Sequence, residues 1–352
     1  VAGAGPTGLA AALELTRLGR PVRIIDRKAA RSQHSKAIGV NPRTLELLEA
    51  AGVTERLLAA GRRIRKVNLR RGDRLLAAVD LTRLEHRYNF MLALAQSETE
   101  RILEVSLAER GVRVEWQTEL KAFAPAADRI RATIAREADE QEVEAGYLIG
   151  ADGAHSTARH ALGVEFRGDT YPFEWQVVDV RMSGPFAEDE VHLRLGDTAL
   201  LFLISAAPGT FRLASDGADP LQLLPRGCAI HEIIWRSSFW ISYRQVDSYQ
   251  QGRVFLAGDA AHIHSPVGGR GMNLGIEDAT IVARKLAGGG LDTYTAERHP
   301  VGARVIRQTH ALTRLVTARA WWARSLREHL LPLMLGLEPA QRQFRLRLAG
   351  LR

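Results

Sequence analysis

Cysteine is almost missing from this chain: Cys228 is the single one in 352 residues. That excludes an intramolecular disulfide and leaves no cysteine pair for a zinc finger. It agrees with reducing, cytoplasmic surroundings. No apolar run reaches the ~18 residues needed to span a bilayer. Signal-peptide pattern, internal repeat and low-complexity tract are absent too. The chain opens on Val1 with a very short strand, so we expect it to be trimmed at its N-terminus. A net charge of +8 and a pI near 10.0 invite a nucleic-acid partner. The arginines, however, are scattered over many helices and no nucleic-acid motif accompanies them, so solvated helix faces account for the charge. A phosphate-rich ligand would use a few of these charges.

What is present describes a globular protein: 46% hydrophobic and 25% charged residues, with length for a large core and two domains. The most informative stretch is the first. Gly3, Gly5 and Gly8 form G-x-G-x-x-G between a strand end and a helix. Gly3 permits the tight turn, Gly5 lets backbone approach a pyrophosphate, and Gly8 lets the helix pack on its strand. Pro6 suits a first turn, Leu9, Ala12 and Leu13 share a face, and Gly19 ends the helix. Val22 to Ile25 then reads as a buried strand, and Asp26 falls where an acid would hold a ribose hydroxyl.

The polar stretch 27–40 reads as a loop. Helices are expected from Asn41-Pro42 to about Gly52, over 53–60 and over 96–110. Val67 to Leu69 and Leu75 to Val79 suggest strands in an excursion from the nucleotide-binding part. Segments 129–135 and 141–144 read as a hairpin pair. Between Val164 and Tyr243 short β-type runs and most aromatic residues concentrate, indicating a second, sheet-rich domain. Beyond Pro300 the pattern is helical, and this basic amphipathic tail is expected to pack on its own domain rather than on a membrane.

Two further motifs repeat the logic of a strand end feeding a helix. Asp152-Gly153 follows the apolar run Leu148 to Gly150, and Gly258-Asp259 follows Val254 to Leu256. Gly268 to Asn273 then brings a glycine-rich strip to a helix start, where exposed amides favour an anionic or electron-rich group. His262 and His264 could be metal ligands, but with no third ligand nearby a structural or substrate-facing role is preferred, and no metal site is expected. Cys228 has no identifiable base and is treated as incidental. Trp175, Phe202, Phe239 and Trp240 are candidates for lining an aromatic pocket, although each taken singly reads as ordinary sheet core.

In this order the motifs resemble the class A flavoprotein monooxygenases, the FAD hydroxylases related to p-hydroxybenzoate hydroxylase, in the branch acting on phenols and aromatic polyketides. The resemblance extends to about Pro300. It implies an α/β fold: a Rossmann-like FAD-binding domain (1–64, 93–163 and 246–300), a β-sheet substrate domain (65–92 and 164–245) and a C-terminal helical segment (301–352). By resemblance, Gly3, Gly5, Gly8, Asp26 and Arg27 belong to the site for the ADP half of FAD. Asp152-Gly153 belongs to a fingerprint for FAD and NAD(P)H. Arg43 and Gln96 match positions at the flavin or its pyrophosphate, and Asp259 would hold the ribityl chain. Pro266, Gly269, Arg270, Gly271, Met272 and Asn273 would lie beside the isoalloxazine; Pro266, Gly269 and Arg270 are flavin-adjacent catalytic candidates, with no base named. Lys36 stands where many relatives carry Arg, which removes the planar fork a bidentate contact needs. Larger members carry a thioredoxin-like C-terminal domain, for which the tail in this sequence is expected to be too short, and the halogenase tryptophan motif is missing.

The implied reaction is hydroxylation of a small aromatic, phenolic or polyketide-like substrate by NAD(P)H and O₂, through a flavin hydroperoxide. Two alternatives are kept: a flavin-dependent reductase of an isoprenoid double bond, and a non-enzymatic FAD-binding redox sensor.

Overall fold

The computed structural model describes residues 1–33, 37–137, 139–197, 199–318, 320, 328–329, 332–333 and 335–352. Short apolar strands make up the first sheet. Its order is Val114–Trp116, Ile24–Asp26, the bridge residue Ala2, Leu148–Gly150, Val254–Leu256 and Gln250–Gln251. All neighbours run parallel except the last pair. Both faces of such a sheet are covered, which is why Ile24, Ile149 and Phe255 need no polar alternation.

The helices in chain order are α1 (Pro6–Arg17), α2 (Pro42–Glu49), α3 (Thr54–Ala60), α4 (Gln96–Ala108), α5 (Thr157–Ala161), α6 (Gly271–Gly288) and α7 (Tyr294–Val316), with a last helix over Glu338–Leu348. Buried Ala10, Ala11 and Ala12 keep α1 slim, and it packs against both α4 and α6. A three-stranded antiparallel meander (Thr118–Pro125, Ile130–Arg136, Asp139–Ala145) adds Leu120, Ile130 and Ile134 to the same core. Its first strand is missing from the sequence reading for two physical reasons. Gln117 makes the preceding turn at a φ of 56° where glycine would signal it, and a bulge between Leu120 and Ala122 breaks the two-residue period.

Two other expectations are corrected. The stretch 27–40 is not all loop, because Gly39–Val40 pairs with Met91–Ala93, which also pairs with Arg62–Ile64. Pro300 lies inside α7, which begins at Tyr294.

The second sheet has eight strands: His262–Ile263, Ala229–Val246, Phe166–Ser183, Thr210–Asp216, Leu200–Ala207, Glu190–Leu195, Lys66–Arg71 and Arg74–Asp80. Only Glu190–Leu195 with Lys66–Arg71 is parallel. The alternation of side chains divides it cleanly. Val178, Val180, Leu201, Leu203, Phe211 and Leu213 face one way and bury against Leu221 and Leu223. Their sequence neighbours Val177, Phe202, Arg212 and Ala214 face the other way and line a cavity. No helix among the described residues is long and apolar enough to cross a membrane.

Candidate active site

The cavity, about 1350 Å³, runs from the first glycine turn to the inner face of the eight-stranded sheet. At its near end the glycines are not interchangeable. Gly3 sits at a φ of +99°, and a Cβ there would lie 2.3 Å from the Ala151 carbonyl oxygen. A Cβ on Gly8 would lie 1.8 Å from the Gly3 oxygen. Gly5 has nothing within 4 Å, because its open side faces the cavity. It is also the N-cap of α1, which has no side-chain cap and no acid in its first turn. The leading amides and the positive end of the helix dipole are thus available to an anion.

Asp26 lines the same end, its carboxylate accepting from the backbone N–H of Ala4 at 2.8 Å and of Lys28 at 2.9 Å. Arg27, Lys28 and Gln96 line it as well, and Gln96 donates to Glu100 at 2.8 Å. Burial pushes the Glu100 carboxyl up, against the opposing Gln96 bond and the Lys28 and Arg31 charges.

The two acids at strand ends differ in chemistry. Asp152 lines the cavity, but its oxygens accept from Ser156 Oγ and, at 3.1 Å, from the Ala158 N–H, so it caps α5 and shapes the turn. Asp259 accepts no hydrogen bond from the protein among the described residues. Its side chain is exposed on the cavity surface, where desolvation by the surrounding protein raises its carboxyl pKa and the His262 charge opposes this only in part. Gly258, at a φ of +61°, presses on Thr7, where a Cβ would meet Oγ1 at 2.5 Å, and so turns Asp259 toward the cavity. An acid held there without a partner fits a donor hydroxyl of a bound ligand. Losing such a charge-assisted bond costs ~1.5–3 kcal/mol. Asp259→Ala should therefore purify with less FAD and bind it at least ~10-fold more weakly by fluorescence titration; unchanged affinity would remove Asp259 from the site.

Pro266, Gly268, Gly269, Gly271 and Met272 form the cavity wall opposite. Gly268 and Gly269 take φ values of +98° and +63°. α6 starts after Arg270 without a side-chain cap, and a Cβ on Gly271 would find only His264 Cε1, at 4.0 Å. This is a second set of uncapped amides beside open space. Asn273 does not line the cavity. It braces the strip, donating to the carbonyls of Gly39 (2.9 Å) and Gly269 (2.7 Å) and accepting from the Asn41 N–H (2.9 Å).

The remaining expected site residues are placed as follows. The Arg270 side chain reaches the cavity wall, but its guanidinium donates to the Arg347 carbonyl at 2.6 Å, latching the last helix to the strip. Arg43 stays outside the cavity, paired with Glu46 at 2.6 Å while its N–H donates to Ala349. Gly8 packs helix on turn, and Lys36 lies outside the described residues.

The sequence reading misses a buried charge network behind the strip. Asp278 accepts from Arg298 Nε and pairs with His262 Nε2, each at 2.6 Å, and accepts from the Gly258 N–H at 3.2 Å. Arg298 also holds Glu277 at 2.7 Å. His262 thus has the structural role, and the described residues hold no group of three metal ligands. His264 lines the cavity, and burial brings its pKa down to about 4. A second missed pair, Arg212 with Asp179 at 2.7 Å, sits on the sheet face of the cavity and reaches the Ala37 carbonyl at 3.2 Å. One signal for both was available: a charge inside an otherwise apolar helix or strand.

At the far end Trp175, Phe202, Phe239 and Trp240 all line the cavity, with Leu312 and Val316 of α7 and Phe344 and Leu348 of the last helix. Uncapped backbone amides thus adjoin an aromatic-walled chamber, the arrangement of a protein that binds a nucleotide cofactor beside an apolar ligand. The family model described as "FAD binding domain" matches residues 1–211 and 225–309. Over 346 residues the chain is 39% identical to 6-methylpretetramide 4-monooxygenase from Streptomyces rimosus, covering 91% of this chain and 62% of that protein. It is 33% identical to pentachlorophenol 4-monooxygenase from Sphingobium chlorophenolicum, covering 90% and 64%. Both relatives are therefore spanned over less than two thirds of their length. The solved anhydrotetracycline hydroxylase from Streptomyces rimosus superposes with a TM-score of 0.83 at 30% identity, covering 99% of this chain and 75% of that one. The chain belongs to the class A FAD-dependent aromatic monooxygenase family.

Proposed function

We propose that the protein hydroxylates an aromatic, phenolic or polyketide-like substrate, using FAD, NAD(P)H and O₂. The observation that carries this is the continuity of the cavity from the uncapped amides of α1, past those of α6, to the aromatic-walled sheet face. Segments 1–64, 93–163 and 246–300 would hold FAD, while 65–92 and 164–245 floor the substrate chamber.

Each residue's task follows from its chemistry. Gly5 and the α1 amides bind the pyrophosphate, Asp26 the adenosine ribose and Asp259 the ribityl hydroxyls. The backbone from Arg270 to Met272, at the uncapped start of α6, would offer N–H donors to the electron-rich edge of the isoalloxazine without a titrating side chain, while the Gly269 N–H is held by the Pro266 carbonyl at 2.8 Å; one such donor is worth ~3 kcal/mol in a transition state. Bound FAD, reduced by NAD(P)H, supplies the oxygen activation. The apolar floor and the last helix exclude water from the reacting ring. His264 stays neutral above its lowered pKa of about 4, so it can only accept a hydrogen bond at Nε2 while Nδ1 donates to the Ser265 carbonyl.

The test is turnover under ¹⁸O₂ with a panel of phenols and aromatic polyketides, read by mass spectrometry. One labelled atom should enter the product, and NAD(P)H consumption should rise with the right substrate. Label arriving from water instead would refute oxygen insertion even with FAD bound. NADPH oxidation independent of O₂ would favour the double-bond reductase, and tight partner binding without turnover the redox sensor. The monooxygenase names of the relatives favour the first reading.

A further inference from the structure

The adenosine end of the cavity holds an acid to which the FAD placement above gives no task. Glu100 lies one turn into α4, on the same side of the helix as Gln96, and both line the cavity with Asp26. Glu100 is 6% exposed. Its Oε1 accepts from Gln96 Nε2 at 2.8 Å. Its Oε2 has no partner among the described residues, yet it is not walled in: it keeps accessible surface, within reach of a ligand in the cavity.

No cation sits directly on this carboxyl. Arg31 is engaged by the Ser97 carbonyl at 3.1 Å and by Glu104 at 3.4 Å, and Lys28 is exposed. Arg27 and Glu119 line the same end of the cavity. On the helices packed against α4, Glu14 is paired with Arg17 and Arg56 with Glu109. Burial pushes the Glu100 carboxyl up; the Gln96 bond, Lys28 and Arg31 oppose this, and the Asp26 charge adds to it.

Bound FAD would move the balance further the same way. Its pyrophosphate brings negative charge to the α1 amides, and its adenosine covers the open side of Glu100, removing the water that solvates a carboxylate. A sugar hydroxyl needs both an acceptor for its hydrogen and a donor for its lone pairs. Asp26, with its carboxylate held by the Ala4 and Lys28 N–H groups, is the acceptor. A neutral Glu100 is the donor. We propose that Glu100 takes up a proton from solvent when FAD binds and donates the resulting O–H to a hydroxyl oxygen of the adenosine sugar. Two acids then share one sugar in opposite protonation states, and cofactor affinity becomes dependent on pH. This rests on the FAD placement proposed above and adds a residue and a proton to it.

The test titrates the flavin-free full chain with FAD in a calorimeter near pH 7.5, in HEPES and in Tris, whose different ionisation enthalpies report the protons exchanged. Uptake should approach about one proton per FAD. Fluorescence titration should show affinity falling by up to about 10-fold per pH unit above neutrality. Glu100→Gln keeps the size and a donor N–H but cannot titrate, so it should bind FAD without uptake and with an affinity that does not change with pH. Binding by the unmodified protein with no uptake, or with proton release, would overturn the inference without the variant. Uptake that persists unchanged in Glu100→Gln would also overturn it, by assigning the proton to another group such as His155, which lines the cavity too. If FAD does not bind the unmodified protein, the cofactor placement itself fails and takes this inference with it.

Discussion

Gly5→Val should give a folded protein that has lost FAD. Gly5 has ordinary extended dihedrals (φ −74°, ψ −177°), so valine imposes no backbone strain. No protein atom lies within 4 Å of the added Cβ, so nothing in the protein is displaced. What the side chain does occupy is the approach to the α1 amides. Loss of two charge-assisted bonds at ~1.5–3 kcal/mol each makes FAD binding at least ~100-fold weaker. Flavin content on purification, FAD titration and the thermal midpoint of the apoprotein together check this. Gly3→Ala is the informative contrast: its φ of +99° and the 2.3 Å approach to Ala151 predict damage to the fold itself. A Gly5→Val protein that retains full FAD affinity would mean the pyrophosphate lies elsewhere.

Asp278→Ala should cause the largest loss of stability, ~3–5 kcal/mol, because it breaks a buried charge network, leaving Arg298 with Glu277 alone and His262 without its carboxylate. Asp278 and His262 are each 1% exposed and Arg298 3%. Burial alone would raise the Asp278 carboxyl, but Arg298 and His262 outweigh it and hold the pKa below the ordinary 3.8. A depressed carboxylate contributes stability that is present above its unfolded pKa and lost as pH falls through the folded one. The unmodified apoprotein should therefore lose this contribution only below about pH 4, and Asp278→Ala should lack it at pH 7 already. Urea unfolding at both pH values measures the difference. A loss under ~1 kcal/mol at pH 7 would mean that water or rearrangement satisfies Arg298.

How much the sequence discloses depends on whether a requirement is local. Gly3, Gly5 and Gly8 are legible because a positive φ or a contact under 3 Å dictates glycine at Gly3 and Gly8, and an open approach favours it at Gly5. The inward-facing aromatics are legible because strands alternate and Trp175, Phe202 and Phe239 fall on the same parity as their apolar neighbours. Asp278 and its partners are not: they lie 16 and 20 residues apart on three elements, and only the fold brings them together. Side-chain direction is likewise hidden: Arg270 lines the cavity yet donates to the Arg347 carbonyl, and Arg43 turns to Glu46 outside it. The strand at 118–125 is hidden by its bulge and by a turn made without glycine.

The alternation of the eight-stranded sheet has a consequence for how such a protein can diverge. Residues facing the chamber and residues holding the sheet to Leu221 and Leu223 occupy opposite parities of the same strands. The cofactor cradle, meanwhile, is built largely from backbone. Substitutions at Val177, Phe202 or Ala214 could reshape the chamber while Val178, Leu203 and Leu213 keep the sheet packed and the glycine turns stay untouched. Such an arrangement separates the inheritance of the oxidising machinery from the exploration of new substrates, one chamber residue at a time.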